Sequence, residues 1–82
     1  MKSCFTVYDT KSAIFANPFV SQNKMTALRD FQQAANDPQS QISNYPEDFI
    51  LFEIGTFDEN TGSISPMLPV NLGSADQFTI RS

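Results

Sequence analysis

The run Pro46-Glu-Asp-Phe-Ile-Leu-Phe-Glu-Ile-Gly-Thr-Phe-Asp-Glu-Asn-Thr-Gly62 constrains this chain more than any other segment. A strand solvated on one side alternates apolar and polar residues. This one does not. Phe49, Leu51 and Phe57 share one face with Glu53 and Gly55, and Ile50, Phe52 and Ile54 occupy the other. Both faces therefore need cover, which in a chain of 82 residues puts the strand in the middle of the fold. Glu53 marks where the cover on its own face ends. The polar Asp58-Glu-Asn-Thr-Gly62 reads as a five-residue hairpin loop with glycine at the positive-φ position. Ser63 to Met67 returns as the partner strand, and Pro66 places its outer half at an edge, because proline cannot donate to a ladder.

The rest of the chain supplies the cover. Ser3 to Tyr8 is rich in aromatic and β-branched residues and reads as a strand, with Phe5 and Val7 on one face and Cys4, Thr6 and Tyr8 on the other. Asp9 to Ser12 turns the chain, and Ala13 to Ala16 returns as a short strand that Asn17-Pro18 stops. A helix is predicted from about Asn23 to Asn36. Ser21 or Asn23 caps it, and Asp37-Pro38 ends it, since a residue before proline avoids the helical region. Met25, Leu28, Phe31 and Ala35 recur at helical spacing and form its buried stripe. Residues 37–48 read as a long polar loop anchored by Ile42 and Tyr45. Leu68 to Asp76 reads as irregular, and Gln77 to Arg81 as an optional last edge strand or a pairing arm. The expected fold is one α+β domain spanning residues 1–82. Its small antiparallel sheet has four to five strands, one helix packs on a face, and the order is β-β-α-β-β.

One helix covers one face, so the other face of the central strand needs the long loop or a partner subunit. So short a chain buries only about 60% of its unfolded surface. A single cysteine, Cys4, excludes an internal disulfide, and the absence of histidine argues against a metal site. Association of subunits is the remaining support, and a homodimer is expected. The lone cysteine and the lack of an apolar leader suggest a reducing cytoplasm, and no apolar run is long enough to cross a membrane.

The same inventory restricts chemistry. Without histidine the usual proton shuttle and the serine or cysteine triads are missing, and with three glycines there is no phosphate loop. Glu47/Asp48 and Asp58/Glu59 are the only paired carboxylates of interest, and they fall at a loop end and a turn, where acids favour solvation. No catalytic residue, metal ligand or cofactor motif is assigned.

Charge is divided unevenly. Residues 1–30 hold four cations against two acids, and residues 31–82 hold one arginine against seven acids, for a net charge of −4. That balance argues against a generic nucleic-acid binder. The N-terminal part nevertheless holds cations for phosphates and aromatics for stacking: Lys2, Lys11, Lys24, Arg29 and Tyr8 are the candidate nucleic-acid contacts. Phe15 and Phe19 read as core. Convergence of the four cations on the folded surface would favour DNA contact, and scatter would favour an adaptor that docks on another protein.

Three runs belong together: Phe5-Thr-Val-Tyr-Asp-Thr-Lys11, Asn17-Pro-Phe19, and Asn36-Asp-Pro-Gln-Ser40 leading into the segment from Pro46 to Gly62. In these the chain resembles the small non-structural protein of gokushoviruses, single-stranded DNA bacteriophages of the microvirus group. The resemblance covers most of residues 4–64. It implies a non-enzymatic, DNA-associated protein in the cytoplasm of the infected bacterium, absent from the mature virion, that favours single-stranded genome synthesis or packaging. Its partners would be single-stranded DNA or a host or phage replication or packaging protein. The alternative is an adaptor engaging such a protein through an apolar sheet face or edge, without DNA contact.

Overall fold

The computed structural model describes residues 1–79. Five strands and two helices follow in the order β1 (Lys2–Asp9), β2 (Ile14–Phe15), β3 (Phe19–Ser21), α1 (Lys24–Asn36), α2 (Gln41–Asn44), β4 (Phe49–Asp58) and β5 (Ser63–Ser74). Pro46–Asp48 and Ala75–Gln77 are single 3-10 turns. All pairings are antiparallel, and the sheet runs β2-β1-β4-β5 with β3 also on β1. β2 and β3 thus share the outer edge of β1, interrupted at Ala16–Pro18. The interruption is tied down by two bonds: the Ala16 N–H donates to the Val7 carbonyl at 2.8 Å, and the buried Thr6 hydroxyl donates to the Ala16 carbonyl at 2.8 Å. β3 and β4 both run antiparallel to β1, so they are parallel to each other, and α1 makes the crossover between them. The α+β architecture read from the sequence is the one observed.

α1 starts where capping chemistry allows. The Asn23 side chain accepts the Thr26 N–H at 2.9 Å, and the extended Asp37 before Pro38 ends the helix. Its buried residues are Ala27, Phe31 and Ala35, with Leu28 half-buried. Met25 does not belong to the stripe and is 73% exposed, because it lies about 200° round the helix from Ala27 at about 100° per residue. The stripe packs on Phe5, Val7, Phe49, Leu51 and Ala75. Phe5 and Leu51 are fully buried, each contributing about 1.5–3 kcal/mol.

The segment 37–48 is more ordered than a loop. Ser40 caps α2 through the Ile42 N–H at 3.0 Å, and Ile42 packs on the core as expected. Tyr45 is 55% exposed and anchors nothing there; buried Pro46 takes that role. The stretch after Met67 is not irregular, since β5 continues to Ser74. Gln77 then ends a 3-10 turn rather than starting a strand. Phe78 meets Phe31 edge to face at 5.9 Å, and its carbonyl accepts from the Asn36 side chain at 3.0 Å. Ile80 and Arg81, in the outer part of the expected last strand, lie outside the described residues.

Register explains the remaining difference. Phe5 pairs with Glu53 but Cys4 pairs with Gly55, so Ile54 is an extra residue on β4. The bulge moves Phe57 off the face of Phe49 and Leu51: it stands opposite Lys2 and Ile64, on the side away from α1. At Gly55 the backbone of β5 comes so close that an added Cβ would lie 2.5 Å from the Ser65 carbonyl oxygen. Gly55→Ala should therefore cost about 1–3 kcal/mol by forcing strands apart, and Asn23→Ala about 1 kcal/mol by leaving the Thr26 N–H uncapped. Urea unfolding followed by circular dichroism measures both.

Candidate interaction face

α1 covers one side of the sheet. The other side is open and almost free of charge, and two regions of it are distinct.

The first region lies where β1 and β2 meet. Tyr8 and Phe15 are cross-strand partners, and their ring centroids are 4.5 Å apart. Phe52, on β4, completes a trio at 6.2 Å from Tyr8 and 5.6 Å from Phe15. Perpendicular packing of Phe52 on both rings is the arrangement that aromatic quadrupoles favour. Phe15 is 48% exposed, so the trio presents ring surface to solvent. It was not a core residue because β2 has only two residues and nothing pairs beyond it. Phe19 likewise stands partly exposed, stacked on Phe5 at 5.8 Å. The pairing of Tyr8 with Phe15 was a readable signal, since the two residues flank the Asp9–Ile14 turn symmetrically.

The second region lies towards the other end of β1. Cys4, Val20, Ile54, Ile64 and Pro66 line an apolar hollow of about 310 Å³, with no charged residue in its wall. The bulge at Ile54 makes this hollow, because it points both Ile54 and the Gly55–Pro66 contact to the open side. A shallower strip of Thr6, Ala16, Pro18 and Pro69 links it to Phe15.

The four candidate cations are not gathered on this face. Lys2 and Lys11 flank β1 at opposite ends, about 25 Å apart at about 3.3 Å per residue. Lys2 sits by Glu59, whose carboxyl is held below its ordinary value first by a hydrogen bond from the N-terminal ammonium at 3.1 Å and, less, by Lys2 itself. Lys24 and Arg29 are exposed on α1, about 140° apart around its axis at 3.6 residues per turn. Tyr8 belongs to the aromatic trio, whereas Lys11 lines a hollow with Gln41 and Phe49 on the side of the sheet that the helices cover.

Lys11 lies in the turn after β1, where its backbone N–H donates to the Asp9 carboxylate at 2.9 Å. Asp9, Lys11, Tyr45 and Asp48 line a common hollow of about 290 Å³. Thr10 fixes that arrangement, donating to the Asp48 carbonyl from its N–H at 2.9 Å and its hydroxyl at 3.1 Å. Two carboxylates against one ammonium leave the hollow net acidic.

The paired carboxylates do not assemble. Glu47/Asp48 precede β4, Asp58 ends it and Glu59 follows, so the ten-residue strand holds the pairs about 30 Å apart. Among the described residues no cluster of three or more potential metal ligands occurs, and no helix is long and apolar enough to cross a membrane.

Because Phe15 is half exposed and Phe5 fully buried, their truncations should separate. Phe15→Ala should cost about 1 kcal/mol, and Phe5→Ala about 3–5 kcal/mol. Urea midpoints check the contrast, and a Phe15 variant as damaged as the Phe5 variant would remove Phe15 from the surface.

Comparison with known proteins agrees with the resemblance seen in the sequence. The profile of the family described as phage ORF5 protein matches residues 2–78. Protein ORF5 of Chlamydia phage 1, a gokushovirus, is 33% identical over 67 residues, covering 77% of this chain and 70% of its own length. No solved structure matches the chain significantly. The chain belongs to the phage ORF5 protein family.

Proposed function

We propose that this member of the phage ORF5 family works by docking and not by catalysis, in the cytoplasm of the infected bacterium, at the stage when single-stranded genomes are made or packaged. The docking surface is the aromatic end of the open sheet face, and its occupant is a host or phage replication or packaging protein. One observation carries the choice of occupant: the Phe15 ring is 48% exposed with half-buried Tyr8 and Phe52 packed on it, and the adjoining strip of Thr6, Ala16, Pro18, Ile54 and Pro69 holds no cation. Exposed aromatics supply contact area at low entropic cost, as protein interfaces require. A polyanion would need several cations, and each phosphate contact depends on one. The resemblance supplies the process, and the wide separation of the paired carboxylates supports contact over chemistry.

A second reading keeps the same rings for single-stranded DNA. Aromatics on an open sheet face stack unpaired bases in other folds, at about 1–3 kcal/mol per base. With Lys11, the nearest cation along the chain, as its phosphate partner, the affinity would vary little with salt, by a slope of about −0.7.

Capture from infected cells separates the two. The tagged chain should retain a replication or packaging protein, identified by mass spectrometry, after nuclease treatment. Phe15→Ala should reduce that capture at least tenfold and Lys11→Ala should leave it unchanged. Titration with a single-stranded oligonucleotide at about 50 mM salt should show no saturable binding. Nuclease-sensitive capture, with oligonucleotide binding lost in both variants, would instead establish the DNA reading. The chain should also be missing from purified virions by immunoblot.

A further inference from the structure

Phe15 reaches the open face through an irregularity that its own hairpin does not enforce. Tyr8 pairs with Phe15, and Phe5 pairs with Phe19. Thr6 and Val7 of β1 therefore stand against three residues, Ala16, Asn17 and Pro18. The extra residue decides which way each ring points, since a shift of one position turns a strand's side chains over. Phe15 lies with Tyr8 and Phe52 on the open face, whereas Phe19 stacks on Phe5, which belongs to the core under α1. Extending the β3 register through the gap without the extra residue would set Phe15 opposite Asp9 and turn its ring to the helix side. Little in the hairpin opposes that slip. β2 has two residues, residues 10–20 are all exposed, and the turn holds Ala13 at φ 59°, a conformation that favours glycine.

We propose that Thr6 is the positioning residue of the docking face, and that its hydroxyl holds the register in which Phe15 meets a partner. Among the described residues, Thr6 and Ser21 are the buried polar ones, and Thr6 is 3% exposed. Its hydroxyl donates to the Ala16 carbonyl at 2.8 Å, and the Ala16 N–H donates to the Val7 carbonyl at 2.8 Å. Ala16, directly after Phe15, is thus fixed through both of its backbone polar groups. The slipped register would carry Ala16 to a place opposite Tyr8 and away from Thr6. The buried hydroxyl would then lose its acceptor, and a buried donor left without a partner is costly. Valine has nearly the same shape and suits a strand as well, so packing alone does not call for threonine at this position; the bond to Ala16 does. Thr6 acts on Phe15 through Ala16. This role rests on the docking function proposed for Phe15, because a ring that meets no partner needs no fixed direction.

Two substitutions separate the hydroxyl from the shape: Thr6→Val removes the bond and Thr6→Ser keeps it. In nuclear magnetic resonance of the free chain, Overhauser contacts between the Tyr8 and Phe15 rings should disappear in Thr6→Val and remain in Thr6→Ser. The Phe31–Phe78 contacts of the core should persist in both, whereas a merely destabilised chain would weaken both sets together. Capture of the replication or packaging protein should fall at least tenfold in Thr6→Val, as in Phe15→Ala, and should be restored in Thr6→Ser. Thr6→Ala, which cannot clash, should show the same losses if the valine variant does not fold. Tyr8–Phe15 contacts that survive in Thr6→Val, or that vanish in Thr6→Ser, would overturn the proposal. So would full capture by Thr6→Val when Phe15→Ala has lost it. Capture that survives Phe15→Ala would instead remove the docking role, and the ring contacts, read without any partner, would still decide whether Thr6 sets the register.

Discussion

The structure depends on one limitation: a single 13-residue helix has to cover a sheet whose central strand is apolar on both sides. It can reach one side. Phe5, Leu51 and Phe49 take that side, and Phe31 enters between them and Phe78. Two of the three buried positions of α1 are alanines, Ala27 and Ala35, which leaves a core of few large side chains. Several apolar residues that α1 cannot reach, including Phe15, Phe52, Ile54 and Ile64, are left on the opposite face. The exposed face is thus a direct consequence of how little chain is available to build a second layer.

The face is shaped as well as exposed. Regular pairing would have produced a flat apolar patch. The extra residue at Ile54, with Met67–Pro69 set opposite it on β5, instead gives it a hollow. Gly55 makes this possible, since any side chain there would strike the β5 backbone. Bulges also increase local twist, which helps to bend the long β4–β5 ladder away from a neighbour's edge. Shape and protection from edge pairing therefore come from the same irregularities.

What the sequence revealed and what it hid follow the range of the interactions. The Asn23 cap, the stop at Asp37-Pro38 and the Asp58–Gly62 turn depend on residues within five positions of each other, and all were legible. The central strand was legible because its composition leaves no other role. Met25 was misplaced because helical spacing alone does not fix which phase of the stripe meets the sheet; the small residue Ala27 decides that. The switch of Phe57 to the open face was hidden, because a bulge belongs to a pair of strands and not to one. The same applies to β5, whose second half reads as irregular until β4 is beside it. Of the candidate contacts, Tyr8 enters the aromatic trio because the β1–β2 hairpin sets it opposite Phe15.

The cations show the same division in electrostatic form. Net charge by segment suggested a basic N-terminal part, with a balance of +2 over residues 1–30. Folding cancels it. Glu59 pairs with the N-terminal ammonium, with Lys2 nearby, and the Thr10 bonds bring Asp48 to the turn that carries Lys11. Acids from the second half of the chain are thereby placed beside cations of the first, and the two-ended charge of the sequence becomes a mixed surface. The apolar face escapes this mixing because both ladders that border it bring only uncharged side chains to its hollow. On a chain with an excess of acid, a neutral face is where another protein surface meets the least repulsion, and a nucleic acid finds the fewest phosphate partners there.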